Sequence, residues 1–307
     1  MNKLLEIIKE KEFENDKLYL IDKPSDEFGF FYQNGVVYFA KESSPSIANH
    51  SVDTSYLDMN LGVYITSVDD NSSFKTGNYD MLAFKSDLDS IEFDVFYNIC
   101  KAYVEDSSDY DFAEFFSSLV ELFNKSKDGS KLNLIGLFGE LLLIRKLYEE
   151  YEINVSNNWH LVGTKSKFDF SFPEFNLEVK TSIKNEMTFL LKHDQIFNNQ
   201  RNFIAVVSMF ETGEGDNIDS LNEYFKNTYP FCNNVKFQIA LHSELLKITD
   251  KRDKKRCFVL DDMEVFDCEK MNTIKEIPSC ITNIKYDYNF GDLESVDIEE
   301  LFNGNFE

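Results

Sequence analysis

Lys167-Phe168-Asp169-Phe170-Ser171-Phe172, a Pro173-Glu174 turn and then Asn176-Leu177-Glu178-Val179-Lys180-Thr181-Ser182-Ile183 form the stretch whose reading decides the fold. Both halves alternate polar and apolar residues with period two, the pattern of strands that bury one face. Phe168, Phe170 and Phe172 share one side of the first strand, with Lys167, Asp169 and Ser171 on the other. In the second, Leu177, Val179, Thr181 and Ile183 oppose Asn176, Glu178, Lys180 and Ser182. A hairpin closed at the proline brings Asp169, Glu178 and Lys180 onto one face. That trio suits phosphodiester hydrolysis. Carboxylate oxygens hold a hard cation such as Mg²⁺, which polarises a phosphate and acidifies a bound water. A lysine beside it orients the water or balances the developing charge. The solvent face of an ordinary amphipathic hairpin carries the same residue types, so the trio needs a second feature beside it.

The helix expected upstream supplies one. Leu132 to Tyr148 is apolar on nearly every side, as in a buried helix. Glu140, Arg145 and Lys146 interrupt the run, which excludes a membrane span. The positions three and four residues away from Glu140 are Gly136, Leu137, Leu143 and Ile144, so this carboxylate points into an apolar face. An inward carboxylate is costly unless it is paired or binds metal; a core Arg or Lys partner is the plain alternative. Gly136 and Gly139 each weaken the helix by about 1 kcal/mol relative to Ala and admit another backbone to that face.

Taken together, Gly136-Leu137-Phe138-Gly139-Glu140-Leu141, the lone Trp159 before Gly163, Phe168-Asp169-Phe170 and Glu178-Val179-Lys180-Thr181 resemble the PD-(D/E)XK nuclease superfamily. More narrowly, they resemble the "PD-(D/E)XK motif" proteins of bacterial phage-defence and restriction-type loci. The motif resemblance covers roughly residues 130 to 200, and Phe168 replaces the proline that names the motif. The resemblance implies a restriction-endonuclease-like α/β (mixed α+β) core, a helix plus a mixed central sheet flanked by helices. It implies that Asp169 and Glu178 are metal ligands for Mg²⁺ or Mn²⁺, that Lys180 is the catalytic lysine, and that Glu140 supports the metal site. Gln195 stands where many relatives carry a glutamine near the site, but Asn199 departs from the tyrosine expected after it. A helix-start residue capped by Asp194 is the other reading of Gln195.

The remainder of the chain divides near Ser126-Lys127-Asp128-Gly129-Ser130, a linker-like run. Residues 1–125 read as a β-rich N-terminal domain, DNA-reading or partner-binding, with strands such as Phe28–Tyr32 and Val36–Ala40 joined across an Asn34-Gly35 turn. Helices are expected at Ile91–Val104 and Phe112–Asn124. Residues 126–307 read as the nuclease-like domain with a C-terminal extension. There, Met187–His193 is a third strand, Asn202–Phe210 a central doubly covered strand, and Ser220–Thr228 and Ala240–Leu246 are helices. Strands are expected at Cys257–Leu260 and Thr282–Tyr288, with a surface helix over Asp292–Glu300. The basic run Lys251–Arg256 reads as a solvated loop. Five scattered cysteines without a C-x-x-C pair exclude a structural zinc and fit a reducing, cytoplasmic setting; no signal peptide is evident. No histidine pair, serine–histidine–aspartate set or phosphate-binding glycine loop is present, which excludes a nucleotide-driven motor.

Net charge argues against autonomous DNA binding. The chain carries 31 basic and 55 acidic residues, formally −24, whereas nucleic-acid binders present basic surface. The acidity is uneven: Lys125–Arg201 holds 11 Lys and Arg against 10 Asp and Glu. Lys165, Lys167, Lys184, Lys192, His193 and Arg201 are candidates for a local phosphate-binding edge. Together with these charges, the resemblance implies a Mg²⁺-dependent DNA endonuclease of a restriction or anti-phage system, helped to DNA by a partner such as a methyltransferase or ATPase. A homodimer would suit double-strand cutting. The alternative is an inactive nuclease-fold scaffold or acidic protein-binding subunit.

Overall fold

A computed structural model of the chain describes residues 3–14, 17–44, 50–66, 75–106, 111–125, 133–159, 167–183, 186–197, 200–248, 250, 252–274, 277–278 and 280–303. Residues 1–129 together with 232–243 form one compact unit, and 130–231 with 244–307 form a second.

In the first unit, α1 (Lys3–Glu10) is followed by β1 (Tyr19–Asp22), β2 (Phe28–Gln33), β3 (Val36–Ser43), β4 (His50–Asp53), β5 (Leu57–Ile65) and β6 (Gly77–Phe84). They make a six-stranded antiparallel sheet in the order β1-β2-β3-β6-β5-β4. Asn34 and Gly35 both take positive φ (49° and 83°) between β2 and β3. That is the two-residue turn whose twist matches the flanking strands, and it sets the register Gln33↔Val36. The helices α2 (Ile91–Glu105) and α3 (Phe112–Lys125) follow. Phe30, Phe39, Phe84, Phe93, Phe96, Phe115 and Phe123 are completely buried in this unit, where Tyr103 stacks on Phe115 at 4.2 Å. Many of the chain's 30 phenylalanines therefore serve a core rather than a binding surface.

The second unit opens with α4 (Leu134–Tyr151), capped by the Asn133 side chain accepting from the Gly136 N–H and ended by Glu152 in the left-handed region. Then come β7 (Phe170–Ser171), β8 (Phe175–Ser182), β9 (Thr188–Lys192), α5 (His193–Ile196), β10 (Arg201–Thr212), α6 (Ile218–Asn227), β11 (Cys257–Asp267), β12 (Lys285–Asn289) and α8 (Ile298–Asn303), with α7 (Val235–Leu245), most of which belongs to the first unit, between α6 and β11 in sequence. The main sheet has the order β11-β10-β8-β7. It is mixed: β8 runs parallel to β10, and the other pairs are antiparallel. A parallel pair needs a crossover, here supplied by β9 and α5. Asn202 to Met209 of β10 are all buried, as a doubly covered central strand requires.

Several sequence expectations change. The strand expected over Lys167–Phe172 shortens to Phe170–Ser171, because the Asp169 carboxylate, not a main-chain carbonyl, takes the next N–H of β8. The third strand, β9, joins β12 in a separate ribbon instead of the main sheet. The strand beginning at Cys257 runs on to Asp267 through a register shift beside the acidic pair Asp261-Asp262. The final helix is Ile298–Asn303, later than the acidic run suggested. Helix α7 starts at Val235 and is buried from Phe237 to His242; Cys232–Ser243 clusters with the first unit, although in sequence it lies far inside the second. The expected linker 126–130, Lys165, Lys184 and Asn199 lie outside the described residues.

Candidate active site

The close packing of α4 on β8 starts at Gly139. A Cβ at this position would lie 1.9 Å from Thr181 Oγ1 and 2.9 Å from Thr181 Cβ, so any side chain would push helix and strand apart. Gly136 differs: a Cβ there meets the side chain of Asn133, the helix cap. Just after Gly139, Glu140 is held by Trp159, whose indole Nε1–H donates to Glu140 Oε2 at 2.8 Å. Trp159 is itself buried and bridged to Phe170. The indole is a neutral donor, and its bond fixes the position of the carboxylate.

Beyond the last register pair of the hairpin, Phe170↔Leu177, Asp169 accepts the Val179 N–H on Oδ2 at 2.7 Å. This side chain is therefore anchored beside Glu178. Glu178, 6 % exposed on β8, is the centre of the cluster. Its Oε1 accepts from Lys180 Nζ at 2.6 Å and from Gln195 Nε2 at 2.6 Å. Residues two apart on a strand share a face, which accounts for the Glu178–Lys180 pair.

Gln195 makes two hydrogen bonds that bear on its two sequence readings. Its Oε1 accepts the Lys192 N–H at 3.1 Å, closing the start of α5, while its Nε2 reaches Glu178. Asp194 is not the cap; it pairs with Lys167 at 3.3 Å. A buried amide network then fixes α5: Asn176 donates to Gln200 Oε1 and Asn202 Oδ1, and Asn202 donates to the Ile196 carbonyl at 3.0 Å. Sequence reading missed Trp159 as an anchor and Asn176–Asn202 as a brace. The signal for the latter was an amide at the second position of each of two strands, Asn176 and Asn202, which the register pairs.

Burial pushes the Glu178 carboxyl above the ordinary carboxylate range. The Lys180 charge and hydrogen bond pull it back, the nearby Glu140 charge adds to the rise, and the Gln195 bond opposes it. Glu140, from α4, thus lies within electrostatic reach of Glu178, from β8. Among the described residues, no three His, Cys, Asp or Glu side chains are grouped as a metal cage. Magnesium does not require one, since proteins commonly hold it by one or two carboxylates and leave it several waters. Asp169 and Glu178 supply such hard oxygen donors, and the Glu140–Glu178 repulsion is the kind a cation relieves. The residues fit a Mg²⁺- or Mn²⁺-type ion on two carboxylates. Two other candidates stand apart. Arg201 pairs with buried Asp267 at 2.7 Å. In the basic run, Arg252 pairs with Asp250 and Arg256 with Glu211.

Residues 36–290 match the model of a family described as "Putative PD-(D/E)XK family member, (DUF4420)", so the chain belongs to that family. The match takes in the β-rich strands from Val36 onward as well as the Asp169–Lys180 hairpin. No curated protein and no solved structure matches the chain. PD-(D/E)XK nucleases generally use divalent metals.

Proposed function

We propose that this chain is a metal-dependent deoxyribonuclease that hydrolyses phosphodiester bonds at the Asp169–Glu178–Lys180 cluster. The observation that carries this reading is the gathering of four side chains around one buried carboxylate. Lys180 and Gln195 both donate to Glu178 Oε1, Asp169 is tied to the adjoining peptide N–H, and Glu140 is close enough to perturb Glu178.

Hydrolysis adds a water oxygen to phosphorus and expels a sugar oxygen, which takes up a proton. Asp169 and Glu178 would hold the ion, with Glu140 flanking them. Bound there, Mg²⁺ or Mn²⁺ supplies Lewis-acid polarisation of the phosphate and a lowered pKa for water. Lys180 Nζ orients the attacking water and balances charge that grows on the phosphate oxygens. Gln195 and Trp159 position Glu178 and Glu140, and so keep both carboxylates in their productive rotamers. The overall charge of −24 supports delivery of DNA by a partner subunit of a bacterial restriction or anti-phage system, such as a methyltransferase or ATPase. A homodimer would place two such clusters for double-strand cutting.

The same charge favours a second reading, an inactive nuclease-fold scaffold with an acidic docking surface. Metal binding separates the two. Mn²⁺ in excess over its dissociation constant should raise the unfolding midpoint, by the equivalent of about 2.7 kcal/mol at a hundredfold excess. The shift should vanish in Asp169→Ala. A midpoint indifferent to Mn²⁺ and Mg²⁺ in the unaltered protein would support the scaffold.

A further inference from the structure

Next to the cluster lies a cleft of about 580 Å³ whose lining includes Lys192, His193, Asp194, Ile281, Ile284 and Lys285. We propose that it carries the sugar-phosphate backbone flanking the scissile bond, with Lys192 and Lys285 holding non-scissile phosphates; this rests on the nuclease reading above.

The argument begins with the β9–β12 ribbon. Its register places Lys285 directly opposite Lys192. Directly opposed residues of antiparallel strands project to the same face, and like charges so placed are destabilising. Among the described residues neither lysine has an ion-pair partner. In a chain with 55 acidic residues, two facing lysines without a carboxylate partner are unexpected for a merely solvated surface, and a polyanion laid across them removes the repulsion. The ribbon's other face is fixed. Leu191 is buried in a cluster with Ile196, Ile204 and Phe266, and Phe189, Tyr286 and Tyr288 pack against it. The lysines therefore stand on a rigid support.

The cleft is also tied to the chemistry. The Lys192 N–H donates to Gln195 Oε1, and Gln195 Nε2 donates to Glu178 Oε1. One side chain links the cleft wall to the cluster's central carboxylate. Of the acids nearby, Asp194 in the lining is engaged by Lys167 at 3.3 Å, and Asp287, two residues beyond Lys285 on the same face of the ribbon, forms no ion pair with either lysine among the described residues. Exposed Ile281 adds an apolar wall suited to sugar.

The test is binding of a fluorescein-labelled duplex oligonucleotide by the full chain in chelator, read by anisotropy across a salt series. Each phosphate contact contributes about 0.9 to the slope of log affinity against log salt. Lys192→Gln/Lys285→Gln should therefore flatten the slope by about 1.8 and slow cleavage of trace DNA, without lowering the unfolding midpoint. Lys254→Gln/Lys255→Gln, which removes the same net charge elsewhere, should leave the slope unchanged. An unaltered protein that binds and cleaves DNA, with an unchanged slope in the cleft variant, would overturn the cleft alone. So would equal losses in both double variants. No binding by the unaltered protein even at low salt would overturn the cleft, and no cleavage with Mn²⁺ at a DNA concentration high enough to replace delivery by a partner would overturn the nuclease reading as well.

Discussion

Glu178 is the residue on which the cluster turns, and three of the side chains around it were visible in sequence. Period-two alternation put Asp169, Glu178 and Lys180 on one face, and the structure brings them together through one hydrogen bond and one peptide anchor. Gln195 was legible in its placement but not in its double use. Trp159 shows what pattern cannot supply. Its indole reaches Glu140 from 19 positions away, and a contact set by tertiary packing leaves no periodic trace. Its role is open to measurement. Trp159→Phe keeps an aromatic ring but removes the donor, and a hydrogen bond to a charged group is worth about 1.5–3 kcal/mol. If Trp159 positions Glu140, kcat should fall about tenfold or more with KM for DNA held. An unchanged kcat with a lower unfolding midpoint would reduce Trp159 to a packing residue.

At the scale of elements, the helix-and-strand contact that builds the site was half legible. Two glycines on α4 implied a close neighbour, but only Gly139 faces one; Gly136 accommodates its own helix cap. The substitutions should therefore diverge. Gly139→Ala should gain about 1 kcal/mol of helix propensity yet lose about 1–3 kcal/mol to overpacking against Thr181, with a net lowering of the denaturation midpoint. Gly136→Ala meets a mobile side chain and trades that gain against a weakened cap worth about 1 kcal/mol, so its stability should stay close to the parent's. Equal effects, measured by urea unfolding, would contradict the Gly139–Thr181 contact as the tight point. Strand lengths were the less legible part. β7 stops at Phe170 because a side chain replaces the main-chain acceptor, and β9 pairs with β12, almost a hundred residues later in the chain. Neither substitution of partners is written into local alternation.

For the whole molecule, composition was informative about class. Hydrophobic content of 43 % and 30 phenylalanines required a large core, and much of it sits in the β-rich first unit. The Gly- and Ser-containing run at 126–130 suggested a boundary and lies outside the described residues, while Cys232–Ser243 clusters with the first unit. A buried amphipathic segment shows its apolar side in sequence, but not which core it completes. No described helix is long and apolar enough to cross a membrane. The acidic balance remains the feature most at odds with a DNA substrate, and the facing lysines of the β9–β12 ribbon are its local exception. The central claim is that the cluster around Glu178 hydrolyses DNA. Its most direct test is conversion of supercoiled plasmid to nicked or linear forms by the purified chain with Mg²⁺ or Mn²⁺, alongside Lys180→Ala. The account predicts conversion that chelator abolishes and that Lys180→Ala lacks while remaining folded. Conversion that persists undiminished in Lys180→Ala would contradict it.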